Sequence, residues 1–248
     1  MSAEHSNATA TLILPAYNEA SRVGSDFAGV IGSYKSALER EYGDNHALVV
    51  VSDGSTDETA LVARDCGAIV LEYEDNRGRG GALKLGFMAM SGAMTEADKK
   101  VITYTDADGA YSPDHILRLH DAVLGSESEA PIAVSYRLDG LGGIMRRVGH
   151  SSLHRVCERL APTGVRDPQA GAKAFRGDVA EELWSEVDSQ GWSADKQVLY
   201  LARRKSLAVV ELGAEVNNAG DSRVDFIRDP GRMVKDSWHI GRSKKTAV

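Results

Sequence analysis

The chain is 248 residues long with a formal net charge of -7, and its 29 lysines and arginines are spread along it rather than gathered in one stripe, which argues against nucleic acid as the main partner. Hydrophobic residues make up 42%, enough for a real core, and the length admits one α/β domain or two small ones. Two distant cysteines, Cys66 and Cys157, argue against a disulfide framework or a thiolate zinc site and fit a reducing cytoplasm. No apolar run approaches the ~20 residues that span a bilayer, and the start "MSAEHSNATA" lacks the regions of a signal peptide.

Residues 1–9 are expected to be a disordered tail, after which "ATLILPAY" reads as a buried parallel strand. A helix is predicted through "SRVGSDFAGVIGSYKSALEREY", then a strand at "HALVVVSDGS". "STDETALVARDCG" reads as a helix opened by a capping box of Ser55 with Glu58 and closed by Gly67. Strand "AIVLEY", loop "EDNRGRGG", helix "ALKLGFMAMSGAM" and strand "KKVITYT" complete the front half, after which Gly109 and Pro113 mark a chain reversal. The back half is less regular: strand "PIAVSYR", helix "GHSSLHRVCERLA", strand "AGAKAF", helices "GDVAEELWSEV" and "SADKQVLYLARRK", and a last strand "LAVVELGAEV". The alternation predicts an α/β fold with a mostly parallel central sheet flanked by helices. Ligands of such sheets sit at the carboxyl ends of the strands, where Asn18, Glu19, Asp53, Asp106 and Asp108 fall. No repeat or long linker divides the chain, so a single domain over 10–240 is expected, with a nucleotide-binding front half (10–110), an acceptor-binding back half (111–240) and a basic tail (241–248).

In "YTDADGAYSP" two acids stand one residue apart where a strand should end, so a turn can bring Asp106 and Asp108 to one hard divalent cation, Mg²⁺ or Mn²⁺, that also binds a diphosphate. Taken alone, the pair fits better a solvated turn whose acids cap backbone N–H groups. "NRGRGGA" has Leu83 where a dinucleotide fingerprint needs its third glycine and does not follow the first strand, which excludes a Rossmann dehydrogenase.

The pair does not stand alone. "LPAYNEA" (14–20), "SDGSTDET" (52–59), "NRGRGGALKLG" (76–86) and "TDADG" (105–109) resemble, in order and rough spacing, the motifs of the inverting family 2 glycosyltransferases, whose fold is the GT-A type of nucleotide-diphospho-sugar transferases. "SYRLDG" (135–140), "DPQAGAKAFR" (167–176) and "GWSADKQVLYLARR" (191–204) extend the likeness to the branch that makes dolichyl- or polyprenyl-phosphate sugars, so it covers most of the chain. "DADGA" is more similar to the dolichyl-phosphate glucosyltransferases, which use UDP-glucose, than to the mannosyl-phosphate synthases, whose motif reads Asp-Ala-Asp-Leu-Gln. Ala110 stands in place of that glutamine, and a third side-chain ligand to the metal is missing.

The resemblance implies that Pro15, Tyr17 and Glu19 line the base and ribose site, and that Asp53 hydrogen-bonds the base, an imide N–H of uracil or the N1–H and amino group of guanine. Arg79 takes the place of a family lysine and is expected to fork onto the diphosphate, although a surface role fits it too. Asp108 is implied as the principal metal ligand, with Asp106 assisting it or contacting ribose. Asp195 matches the first acid of the pattern Phe-Asp-Val-Glu and is the candidate base, while Lys196 and Gln197 replace the Val and Glu; an Asp early in a helix is equally expected from the helix dipole alone. Arg137, Gln169 and Lys173 are implied near the sugar and acceptor, and a cluster of Arg137, Lys173 and Arg176 would attract an anionic acceptor, or these three are scattered surface cations.

The expectation is an inverting, metal-dependent hexosyltransferase that passes glucose from a nucleotide-diphospho-sugar donor to a lipid phosphate. A soluble small-molecule acceptor is the alternative, and a binding module without turnover the reading from another class. Phe226, Ile227, Met233, Val234, Trp238 and Ile240 can form an apolar face beside Arg and Lys, as in a helix at a membrane surface, or pack on the protein's own core. A cytoplasmic protein with peripheral membrane contact is the location this implies.

Overall fold

The run "ATLILPA" forms strand β1 (Ala10–Ala16), which pairs in parallel with β2 (His46–Asp53) on one side and β4 (Val101–Tyr104) on the other. A strand covered on both faces needs no polar alternation, and Leu12, Ile13 and Leu14 are all inaccessible to solvent. The computed structural model describes residues 10–24, 26–91, 100–124, 130–138, 153, 155–216 and 230–242. With β3 (Ile69–Tyr73), β5 (Ile132–Arg137), β6 (Lys173–Arg176) and β7 (Val209–Ala214), the strands form one sheet in the order β3-β2-β1-β4-β6-β5-β7. Only β6 runs antiparallel to its neighbours, β4 and β5, so the mostly parallel sheet expected from the sequence is present.

The helices are α1 (Glu19–Val23), α2 (Asp26–Tyr42), α3 (Thr59–Asp65), α4 (Arg79–Ser91), α5 (Pro113–Leu124), a stretch over 155–160 (α6), α7 (Gly177–Glu186), α8 (Ser193–Arg204) and α9 (Pro230–Arg242). Successive strand residues feed opposite cores. Leu12 and Leu14 pack with Phe27, Ile31 and Leu38 of α2 and Leu119 of α5, whereas Ile13 packs with Phe87 of α4, Trp184 of α7 and Val198 of α8. In the second core Phe87 stacks on Trp184 at 4.5 Å between ring centroids, and Tyr104 meets Phe175 at 6.2 Å.

Four elements differ from the sequence reading. The first helix divides at Gly24, whose φ of +58° no right-handed helix can continue. The capping box does not form: α3 starts at Thr59, Asp57 accepts the Thr59 N–H at 3.0 Å, and Ser55 instead receives the Asn18 N–H at 3.1 Å. Helix α4 begins at Arg79 rather than Ala82. Helix α5 lies where only a reversal was read; the Ser112 hydroxyl accepts the His115 N–H at 3.2 Å and Pro113 opens the helix. The expected tail 1–9, residues 243–248 of the expected tail 241–248, and Phe226 and Ile227 lie outside the described residues, while Gly241 and Arg242 belong to α9. Among the described residues no helix is long and apolar enough to cross a membrane.

Two histidines of α5 make the fold acid-sensitive. His120 is completely buried, both ring nitrogens lack a partner among the described residues, and burial pushes it down to about 3 from the ordinary 6.5. Burial likewise takes His115, on the Ser135 hydroxyl at 2.7 Å, to about 4. Below pH ~6.5 the unfolded chain takes up protons that the folded chain refuses, so stability falls with pH until each folded value is passed. Urea denaturation should show a loss of about 2 kcal/mol between roughly pH 7 and 5.5, and His120→Leu should remove about half of it. A flat profile would contradict this.

Candidate active site

The carboxyl ends of β1, β2 and β3 carry three loops that hydrogen bonds join to one another. Asn18, at φ 52°, accepts the Thr56 N–H at 2.8 Å; the Ala20 N–H donates to Thr59 Oγ1 at 3.0 Å and the Ser21 N–H to Asp57 Oδ2 at 2.8 Å. The loops after β1 and β2 are thereby stitched together, with Pro15 and Tyr17 half-buried beside them and Glu19 buried against Arg22 at 2.5 Å. Asp53 ends β2 at 3% exposure and ties in the third loop, its Oδ1 accepting the Arg77 N–H at 2.8 Å. Burial raises the Asp53 carboxyl, partly offset by the backbone N–H groups of Arg77 and Gly78. Gly54, at φ +72°, lets this loop close, since a Cβ there would stand 2.6 Å from the Asn76 nitrogen.

Antiparallel pairing sets Tyr104 opposite Lys173, which brings the start of β6 to the same end of the sheet as Asp106. A buried charge network results. The Arg79 guanidinium donates through Nε to Asp106 Oδ1 at 2.8 Å, to Asp195 Oδ2, and to the Gly171 carbonyl at 3.3 Å. It lies against the rings of Trp192 at 4.9 Å and Tyr104 at 5.2 Å. Lys173, inaccessible to solvent, donates to Asp195 Oδ1 at 2.8 Å and to the Ala170 carbonyl at 2.6 Å, and the Tyr104 hydroxyl also donates to Asp195 Oδ1. Burial by itself would raise the Asp195 carboxyl; Arg79, Lys173 and the hydrogen bonds more than offset that and hold it below the ordinary carboxylate range. Asp106 goes the other way: burial, with Asp108 adding to it, outweighs Arg79 and raises its carboxyl.

Several sequence expectations change here. Arg79 forks onto two carboxylates of the protein rather than outward, so a free surface role is excluded. The three-cation cluster does not form. Lys173 is buried on Asp195, Arg137 is exposed in a forked pair with Asp167 at 2.7 and 3.1 Å, and Arg176 sits at the far end of β6, paired with Asp178 at 2.8 Å. Asp195 is engaged on both oxygens and only 1% exposed, an arrangement suited to holding cations rather than receiving a proton. Gln197 is more than a lost acid: it accepts the Ser189 N–H at 2.9 Å and donates to Asp188 at 2.7 Å, pinning the segment whose Gln190 carbonyl receives the Gly80 N–H at 2.7 Å and the Gly81 N–H at 3.2 Å. Gly80 of "NRGRGG" thus admits a neighbouring backbone, because a Cβ there would overlap the Ser189 carbonyl and stand 2.9 Å from the Gln190 carbonyl carbon. Gln169 reaches the Trp192 carbonyl at 3.5 Å. Sequence reasoning missed Tyr104 and Trp192; the one available signal was a tyrosine hydroxyl inside an apolar strand, which requires a buried partner.

A divalent cation can be tested against this arrangement. Among the described residues no cluster of three or more His, Cys, Asp or Glu would cage an ion. Asp106 gives one oxygen to Arg79, and Asp108 accepts the Ala110 N–H at 3.0 Å, which leaves each a second oxygen. Gly171 makes room for the Asp106 carboxylate itself, because a Cβ there would overlap Oδ2 and come within 3.1 Å of Cγ and 3.2 Å of the Tyr111 ring. Two carboxylates, each with an oxygen left over, fit an ion that takes most of its ligands from water and a substrate diphosphate. Gly171→Ala is expected to turn Asp106 away and weaken nucleotide-sugar binding about ten-fold, at a stability cost of about 1–3 kcal/mol. Titration and chemical denaturation read the two effects separately, and unchanged binding would show that the placement of Asp106 against Gly171 does not matter to the donor.

A mostly parallel seven-stranded sheet, flanked by helices and with its acids at the carboxyl ends of β2 and β4, is the GT-A architecture of glycosyltransferases. Residues 11–184 match the family model "Glycosyl transferase family 2", and the chain belongs to that family. It is 25% identical to the dolichyl-phosphate beta-glucosyltransferase of Dictyostelium discoideum, over 93% of this chain and 73% of that one. The enzyme of the same name from Saccharomyces cerevisiae is 24% identical over 91% and 72%. Glycosyltransferase AglD of Haloferax volcanii is 29% identical over 92% of this chain, which spans only 36% of AglD. Among solved structures, glucosyl-3-phosphoglycerate synthase from Mycobacterium tuberculosis, in complex with Mg²⁺ and UDP, superposes with a TM-score of 0.69 at 21% identity, covering 95% of this chain and 79% of that one. At that identity the likeness is one of fold.

Proposed function

We propose that this family 2 glycosyltransferase moves glucose from UDP-glucose to a polyprenyl phosphate, with inversion at the anomeric carbon. The donor half, 10–110, holds the nucleotide: Pro15, Tyr17 and Glu19 line the base and ribose, and the Asp53 carboxylate accepts the imide N–H of uracil. Asp108, with Asp106 set at its angle by Arg79, holds a Mg²⁺ or Mn²⁺. When bound, the ion supplies positive charge to the leaving diphosphate. The acceptor half, 111–240, brings the nucleophile, with Arg137 and Gln169 at its edge.

One observation carries the choice of acceptor. Asp195, the carboxylate that sequence makes the candidate base, is clamped by Arg79, Lys173 and Tyr104. An alcohol acceptor must lose a proton, whereas a phosphate oxygen is already anionic at neutral pH and needs no base. In the transfer, the bond from C1 to the UDP oxygen breaks, the bond from C1 to the acceptor phosphate oxygen forms, and UDP leaves with the electron pair. No proton has to move. Asp195 then acts as a positioning residue that keeps two cations in place beside Asp106. The names of the relatives matched over more than nine-tenths of this chain support the same acceptor.

The test is product analysis with UDP-glucose and Mn²⁺, offering a short-chain polyprenyl phosphate, the corresponding prenyl alcohol and 3-phosphoglycerate in parallel. Glucosyl transfer to the polyprenyl phosphate is expected. Transfer to 3-phosphoglycerate instead would move the acceptor to a soluble phosphate, and preference for the alcohol would contradict the argument from Asp195.

A further inference from the structure

The sequence suggested an apolar face along "FIRDPGRMVKDSWHI", and the structure divides it. In α9, Ser237 and Ile240 are buried and Met233 and Val234 half-buried, so most of the apolar side packs on the protein. The helix is fixed from beneath: the Tyr200 hydroxyl of α8 donates to the Gly241 carbonyl at 3.4 Å, and a Cβ on Gly241 would overlap the carbonyl of Leu160. Arg232, Lys235, Trp238, His239 and Arg242 recur at helical spacing on the outward face, all exposed. Trp238 keeps 43% of its surface in solvent, with the Arg242 guanidinium 4.4 Å from its ring centroid.

Charge is distributed in the same sense. Residues 230–248 hold five lysines and arginines against one acid, a net +4, so in a chain of net charge -7 the first 229 residues carry -11. A basic helix face with a tryptophan at its centre, on an otherwise acidic protein, matches an anionic bilayer surface: the cations meet lipid phosphates and the indole enters the headgroup layer. The face also adjoins the site. The Arg232 guanidinium lies 3.7 Å from where a side-chain carbon on Gly191 would stand, and the next residue, Trp192, covers Arg79.

We infer that the outward face of α9 docks this protein on anionic lipid bilayers, which sets the 191–192 segment toward the surface from which a lipid phosphate would arrive. This deepens the lipid-acceptor reading but is tested apart from it. The 248-residue protein is sedimented with vesicles of phosphatidylcholine alone or mixed with phosphatidylglycerol, at low and high salt. Binding to the mixed vesicles, lost at high salt, is expected. Lys235→Gln and Arg242→Gln should each weaken it about five-fold, and Trp238→Ala about ten-fold. These variants should keep their unfolding midpoints and their turnover of a water-soluble short-chain acceptor, so that failure of docking and failure of transfer are told apart. Equal binding to neutral vesicles, no binding to either, or full binding by all three variants would overturn the inference, as would retention on RNA without retention on vesicles.

Discussion

Asp195→Ala is expected to lower the unfolding free energy by about 3–5 kcal/mol, the cost of leaving buried charges without their partner. Lys173 is inaccessible, the Arg79 side chain is 8% exposed, and both lean on this one carboxylate. The loss is asymmetric. Removing Asp195 strands Lys173 and leaves Arg79 with Asp106 as its one acid, whereas Lys173→Met strands no acid, because Arg79 still meets Asp195. Lys173→Met should therefore cost less than Asp195→Ala, and Asp195→Asn, which keeps an oxygen for Lys173, should fall between wild type and alanine. In the double variant Lys173→Met/Asp195→Asn the costs should be less than additive by about 1 kcal/mol or more, as for residues in contact. Urea denaturation followed by circular dichroism measures all of these. A loss below about 1 kcal/mol for Asp195→Ala would mean that the network relaxes or hydrates freely.

Asp108→Asn is expected to act on chemistry rather than on folding. The side chain is half-buried and, among the described residues, makes a single hydrogen bond, accepting the Ala110 N–H, which an amide oxygen can equally accept. The unfolding midpoint should hardly move. The charge that offsets a cation is gone, however, and turnover should fall by about a hundred- to a thousand-fold, the scale for losing one group that stabilises a leaving charge. Asp106→Asn should combine both effects, since Asp106 answers to Arg79 as well. Equal turnover and equal Mn²⁺-dependent donor binding in Asp108→Asn would remove that residue from the metal site.

The front half of the fold was legible because buried parallel strands leave continuous apolar runs, as in "ATLILPA" and "HALVVVSD", that no surface element needs. Positions of Asp53, Asp106 and Asp108 followed from where those runs stop. Local signals misled where a distant partner took precedence. Ser55 looked like half of a capping box, yet its oxygen serves Asn18, 37 residues away. Gly109 and Pro113 suggested only a reversal, although a proline after a serine is also how a helix opens. The network could not be read at all: Arg79 and Asp195 lie 116 residues apart, and nothing in either segment announces the other. Gln197 looked like a missing acid because the role it has, fastening the backbone of 188–189, depends on a contact that only the folded chain makes.

The most direct single measurement is calorimetric titration of the protein with UDP-glucose, beside UDP-N-acetylglucosamine and GDP-mannose, first with Mn²⁺ and then with EDTA. Binding of UDP-glucose ahead of the other two, strong with Mn²⁺ and lost or greatly weakened in EDTA, is the predicted result. Preference for GDP-mannose would contradict the uracil reading of Asp53, and binding of equal strength in EDTA would contradict a cation at Asp106 and Asp108.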